Sequence, residues 1–119
     1  MNKKVPKNIP VVLTKHYDFV AWVLPHLSRF PKNYKFLLGD RMQSAILDVL
    51  EDLIDASYSR EKGDILQRVN LRLEKLRYMF RLSNDLALLD QRRYLYAVES
   101  LNEIGRMTGG WIKATQSKV

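Results

Sequence analysis

Arginine and lysine recur at helical spacing through one short stretch of the chain: Arg68, Arg72 and Lys75, then Arg77 and Arg81. At about 100° per residue the first three fall within roughly 60° of one another, on a face read as opposite the apolar stripe. Arg77 and Arg81, four apart, form a second pair on a flank. Guanidinium forks grip phosphate oxygens bidentately, so a row of them can track a polynucleotide backbone without reading bases. The competing reading is a solvated helix face, helped by local pairs such as Arg77 with Glu74. Arg92-Arg93-Tyr94 with Tyr96, and Arg77-Tyr78, interleave cations with aromatic rings. Such rings either stack exposed bases or sit half-buried with their hydroxyls in water.

Other chemistry finds little support. Asp48, Glu51, Asp52 and Asp55 gather carboxylates, but metal-binding bundles combine inward carboxylates with a Glu-x-x-His, and neither His16 nor His26 follows a glutamate by three. These acids are read as a patch that pairs with basic helices, in the same molecule or on a neighbouring subunit. His16 and His26 are expected at the surface or at a boundary. The chain has no cysteine, which removes disulfides, thiol nucleophiles and cysteine-ligated zinc. No Ser/His/Asp order, Gly-rich phosphate loop or catalytic acid pair stands out. No enzyme, metal or cofactor is expected.

The charge balance points the same way as the arginines. Twenty Lys and Arg against 13 Asp and Glu give +7 and a pI near 9.8, which favours a polyanionic partner or an acidic protein surface. The excess is uneven: residues 1–35 carry a net +6, residues 36–59 a net −4 and residues 60–82 a net +4. No run of 18 apolar residues offers a membrane span, and the basic start precedes no long apolar segment, so a cytoplasmic protein is expected.

These residues must be positioned by helices, because the apolar periodicity is helical almost throughout and strand signals are nearly absent. The first helix is expected from about Val11 to Arg29 on Leu13, Tyr17, Val20, Trp22, Val23, Leu24 and Leu27, kinked at Pro25. The second, about Leu37 to Ser59, buries Met42, Ile46, Val49, Leu50, Leu53 and Ile54. Arg60-Glu61-Lys62-Gly63 breaks the chain, and Asp64 caps a third helix that runs to about Leu82 on Ile65, Val69, Leu73, Leu76 and Phe80. Ser83-Asn84-Asp85 reads as a turn. A fourth helix, about Asp90 to Met107, turns Leu95, Val98, Leu101 and Ile104 inward and stops at Thr108-Gly109-Gly110, after which Trp111 and Ile112 fold back. Phe30-Pro31, Tyr34, Phe36 and Gly39-Asp40 plug one end. With 46% hydrophobic residues in 119, the expected fold is all-α, an antiparallel up-down-up-down four-helix bundle over residues 11–112. A basic extension, residues 1–10, precedes it, and a frayed tail, residues 113–119, follows.

The stretch from Trp22 to Arg41, with Pro25, Phe30-Pro31, Tyr34, Phe36 and Gly39-Asp40-Arg41, resembles the accessory variability determinant (Avd) proteins of diversity-generating retroelements. So do Ala56 to Arg60, Leu73 to Arg77 with Arg81-Leu82, and Glu103-Ile104-Gly105-Arg106 followed by Gly109-Gly110-Trp111. The resemblance covers about residues 10 to 112. The wider family also holds helical proteins encoded by intervening sequences of bacterial ribosomal RNA genes. The resemblance implies a homopentameric barrel with a basic surface and no catalysis of its own. It implies association with the retroelement reverse transcriptase and its template RNA, in support of mutagenic copying.

The expected contacts to nucleic acid or polymerase are then Arg60, Arg68, Arg72, Lys75, Arg77, Arg81, Arg92 and Arg93, gripping RNA or cDNA phosphates largely without regard to sequence. Charge swaps at Arg72 and Lys75 are expected to weaken binding with the fold intact. The alternative is a structural or protein-interaction bundle of the intervening-sequence type, in which the acidic second helix meets a neighbour's basic third helix.

Overall fold

The computed structural model describes residues 10–116, and the Lys3-Lys4-Lys7 extension and the last tail residues lie outside them. Four helices carry the chain: α1 (Val11–Leu27), α2 (Asp40–Tyr58), α3 (Gly63–Asp85) and α4 (Gln91–Gln116). A short helical lead-in, Lys32–Tyr34, and a π-helical turn, Lys35–Gly39, run into α2 without a break. No strand occurs among the described residues. α1 packs on α2 and α4, α2 on α3, and α3 on α4. Side-chain bonds between successive helices pair low numbers with high ones, as Asp48 with Arg72 and Asp52 with Arg68, so neighbours run antiparallel. The arrangement is compatible with the expected bundle.

One apolar cluster joins the helices. Val12, Phe19, Val20, Val23 and Leu27 of α1 meet Met42, Ile46, Val49 and Leu53 of α2, Leu66, Val69, Leu73, Leu76 and Phe80 of α3, and Ala97, Leu101, Ile104 and Ile112 of α4. Each fully buried leucine contributes roughly 2 kcal/mol relative to exposure. The radius of gyration is 15.2 Å, above the ~13.5 Å expected of a compact chain this long. The molecule is accordingly elongated, and its outer faces keep several large apolar residues in solvent.

Several expectations are corrected here. His16 is completely buried, on the same face of α1 as Val12 and Phe19. The apolar site accepts it because Nε2 donates to the Ile46 carbonyl of α2 at 2.9 Å. Tyr17, Ile54 and Leu95 are exposed instead of buried, Ile65 yields its place to Leu66, and Ala97 and Ser100 take the inward face of α4. Phe36 is exposed, so of the expected corner Phe30 is buried and Tyr34 only partly. Asp64 lies inside the first turn of α3 and makes no capping bond.

Two helix ends also move. α3 continues through Ser83-Asn84-Asp85 and closes when Ala87 N–H donates to Asn84 O (3.0 Å) and Leu88 N–H to Ser83 O (2.8 Å). That pair of bonds places Ala87 in the left-handed region, φ 59°. α4 runs straight through Gly109-Gly110 to Gln116, so Trp111 and Ile112 belong to the helix and do not fold back. α4 begins about where expected, and Asp90 caps it, its carboxylate accepting from Arg93 N–H at 2.8 Å.

Candidate nucleic-acid interface

The arginines of α3 border the core seam. Val69, Leu73 and Leu76 lie about 80–140° round the helix from Arg68 and about 40–100° from Arg72, and both guanidiniums turn toward α2 and not away from the apolar stripe as expected. There Asp52, only 7% exposed, accepts from Arg68 Nη2 at 3.1 Å and from Arg72 Nε at 3.1 Å. Arg72 Nη1 also donates to Asp48 at 3.2 Å. The bonds to Asp52 push the Arg68 pKa further up, against a smaller desolvation effect. Arg68 spans both oxygens of this nearly buried carboxylate, its Nε donating to Oδ2 at 3.4 Å, and Arg72 adds a further bond to Oδ2. The acidic patch of α2 is thus neutralised in part within its own molecule, one of the two pairings the sequence left open.

Arg77 is equally engaged, on the opposite flank. Its Nε donates to Asn102 Oδ1 (2.8 Å), Nη1 to Glu74 (2.9 Å) and Nη2 to the Leu101 carbonyl of α4 (3.2 Å). Gly105 makes the space: a Cβ there would stand 2.6 Å from Arg77 Nη2. Arg93 pairs with Asp90 at 3.1 Å. Among the described residues, Arg60, Lys75, Arg81 and Arg92 are exposed and have no ion-pair partner. The eight expected contacts therefore divide into four that hold helices or a cap and four that are open to a partner.

The cation–aromatic motif also divides. Tyr94 turns toward α3, sharing a small cleft of about 200 Å³ with Arg77, Tyr78 and Arg81. Arg92, Arg93 and Tyr96 turn toward α1 and line a larger cleft, about 410 Å³, with Trp22, His26 and Asp90. Trp22 lies 4.5 Å from Tyr96 and 4.7 Å from His26, ring centre to ring centre. Burial lowers the His26 pKa, aided by Arg93 and Arg29 and opposed by Asp90. Sequence reasoning gave Trp22 and His26 no part in a site with Arg92, because some 70 positions separate them and only the antiparallel pairing of α1 and α4 joins them. Helical periodicity with the expected up-down order would have placed them at one end.

No group of three or more metal-ligating side chains occurs among the described residues, and none of their helices is long and apolar enough to cross a membrane. The fold and charge define a small, basic, all-helical protein whose open cations lie on its outer surface. The family model described as bAvd-like matches residues 10–115, and the chain belongs to that family. No curated protein matches it.

Proposed function

We propose that this chain is a non-enzymatic accessory protein of a diversity-generating retroelement, one that binds RNA and cDNA phosphates and docks the reverse transcriptase. Membership of the bAvd-like family over residues 10–115 carries the reading. The open cations Lys75, Arg81 and Arg92 support it, since phosphate contacts without base readout need cations that no internal carboxylate holds. The working form is a cytoplasmic homopentameric barrel. Its assembly is favoured by two exposed rows at the same spacing, Leu47, Ile54 and Tyr58 on α2 and Leu71, Tyr78 and Leu82 on α3. Five copies of a +7 chain would carry about +35, a field that draws polyanions from a distance.

Fluorescence anisotropy of labelled RNA and DNA across a salt series tests this. Affinity should fall steeply with salt. Lys75→Glu and Arg81→Glu should each weaken binding and reduce the slope by about 0.7 per phosphate contact on a single strand. Unchanged affinity and slope in both variants would remove α3 from the interface. Arg72 is no clean probe, because a glutamate there faces Asp48 and Asp52.

A second reading, a protein-interaction bundle of the intervening-sequence type, is favoured by the exposed apolar rows. Its suggested contact, an acidic helix against a neighbour's basic one, competes with pairs that α2 and α3 already make inside one chain. Self-association with no RNA binding at low salt would select it.

A further inference from the structure

The cleft between α1 and α4 differs in kind from the open cations of α3. Lys15 pairs with Glu103 at 3.1 Å. Two turns onward in α1, and two turns back in α4, the same register sets Trp22 against Tyr96. One more turn brings His26 to the start of α4, where Arg92 and Arg93 stand. Both ring pairs are tilted, by 58° for Trp22–His26 and 55° for Trp22–Tyr96. Trp22 also stacks near-parallel with Phe19 at 6.1 Å, so the ring that offers a face to a further planar group is Tyr96. Tyr96 is 49% exposed. Asp90 is engaged with Arg93 and with the first turn of α4, whereas Arg92 has no carboxylate partner among the described residues. Two arginines, Arg92 and Arg93, line the cleft beside the aromatic wedge.

We propose that this cleft takes one unpaired nucleotide of a single-stranded nucleic acid, its base against Tyr96 and the Trp22–His26 pair and its phosphate on Arg92. Aromatic faces beside a free guanidinium bind bases and phosphates together and tolerate any sequence. The cleft's volume, about 410 Å³, falls near the small end of the roughly 300–1,000 Å³ usual for small-ligand sites. An acidic peptide would use the arginines but not the rings. The proposal rests on the nucleic-acid reading above and adds to it a site that prefers unpaired bases over bare phosphates.

The two tryptophans of the chain make the test direct. Trp111 sits toward the other end of α4, and Trp111→Phe leaves Trp22 as the sole reporter. That variant is titrated at low salt with a labelled single strand of about 10 nucleotides, within the roughly 4–16 that such proteins cover. A second strand of equal length and phosphate count is abasic, and a nucleoside monophosphate forms a third arm. The intact strand should quench Trp22 and bind about tenfold tighter than the abasic one. Tyr96→Ala should erase that preference, Tyr96→Phe should keep it, and Arg92→Gln should weaken the intact strand more than the abasic strand. Equal binding of both strands with unchanged Trp22 emission overturns the proposal and leaves the phosphate-gripping reading standing. No binding of either strand overturns both. Quenching by the monophosphate that the intact strand fails to displace overturns the strand assignment in favour of a free nucleotide.

Discussion

Acidification should destabilise this protein through its fully buried histidine, His16. The Ile46 carbonyl can only accept, so the 2.9 Å bond fixes the proton on Nε2. Nδ1 is then a bare lone pair, buried and without a partner. Protonating it would place a cation in the apolar interior beside Phe19, with nothing to receive its hydrogen. Burial therefore lowers the His16 pKa from 6.5, and the Ile46 bond opposes this only in part. The unfolded chain takes up a proton near pH 6.5 that the folded chain refuses. Stability is thus full above that pH and falls as pH drops toward the depressed folded value. Between about pH 7.5 and about pH 5.5 a single histidine that stays neutral when folded costs at most ~1.4 kcal/mol, or roughly 5 °C in melting temperature for a domain this size. Urea unfolding followed by circular dichroism, at one fixed protein concentration, measures it. His16→Leu, which retains most of the volume and loses the bond at a cost of about 1 kcal/mol, should remove the His16 share of the slope. His26 titrates in both proteins and cancels in the difference. A flat profile in the parent chain, or an equal slope in His16→Leu, would refute the argument.

Three further outcomes follow from local geometry. In a double-mutant cycle, Asp52→Ala and Arg72→Ala should couple by roughly 0.5–1 kcal/mol, read from urea midpoints, since their contact is partly shielded but not dry. Ala87 holds the left-handed position that ends α3, φ 59°, so Ala87→Gly should raise stability by up to about 1 kcal/mol, measured as a higher melting temperature. Gly110 lies inside α4, where an added Cβ would meet nothing within 4 Å, and Gly110→Ala should stabilise the chain by roughly 0.5–1 kcal/mol on the same assay.

Helix number, order and most of the core were legible because the apolar period of Met42, Ile46, Val49 and Leu53, or of Val69, Leu73, Leu76 and Phe80, survives in three dimensions. The ends misled for a physical reason. α3 closes with the backbone bonds that glycine usually completes, but an alanine fills the position, so no residue type marked the stop. Gly109-Gly110 offered that mark where the helix does not stop, because α4 stays helical on both sides, with Thr108 and Ile112 buried on its inner face. Residue type alone sets His16 at the surface or at a boundary, because it does not show a carbonyl of another helix waiting 2.9 Å away. The candidate site was legible as a list of cations and not as an arrangement, since which arginine meets which carboxylate depends on register between helices.

That register decides how the charge of the chain can be used. Arg68 and Arg72 stood out in sequence because they are spaced for a helix face, and the same spacing lets both reach Asp52 one helix away. An aspartate that is nearly buried would carry a heavy desolvation cost alone, so its two partners stabilise the α2–α3 contact before they can attract anything else. Arg77 is tied to α4 through Asn102 and Leu101 in the same manner. Helix packing thus withdraws three of the five cations of the α3 stripe, and the field available to a polyanion comes from Lys75, Arg81, Arg92 and others that no carboxylate holds. Substitutions at Arg68, Arg72 or Arg77 will change binding partly by loosening the fold, and a loss seen there does not locate a ligand. Losses at Lys75, Arg81 or Arg92 with an unchanged melting temperature do.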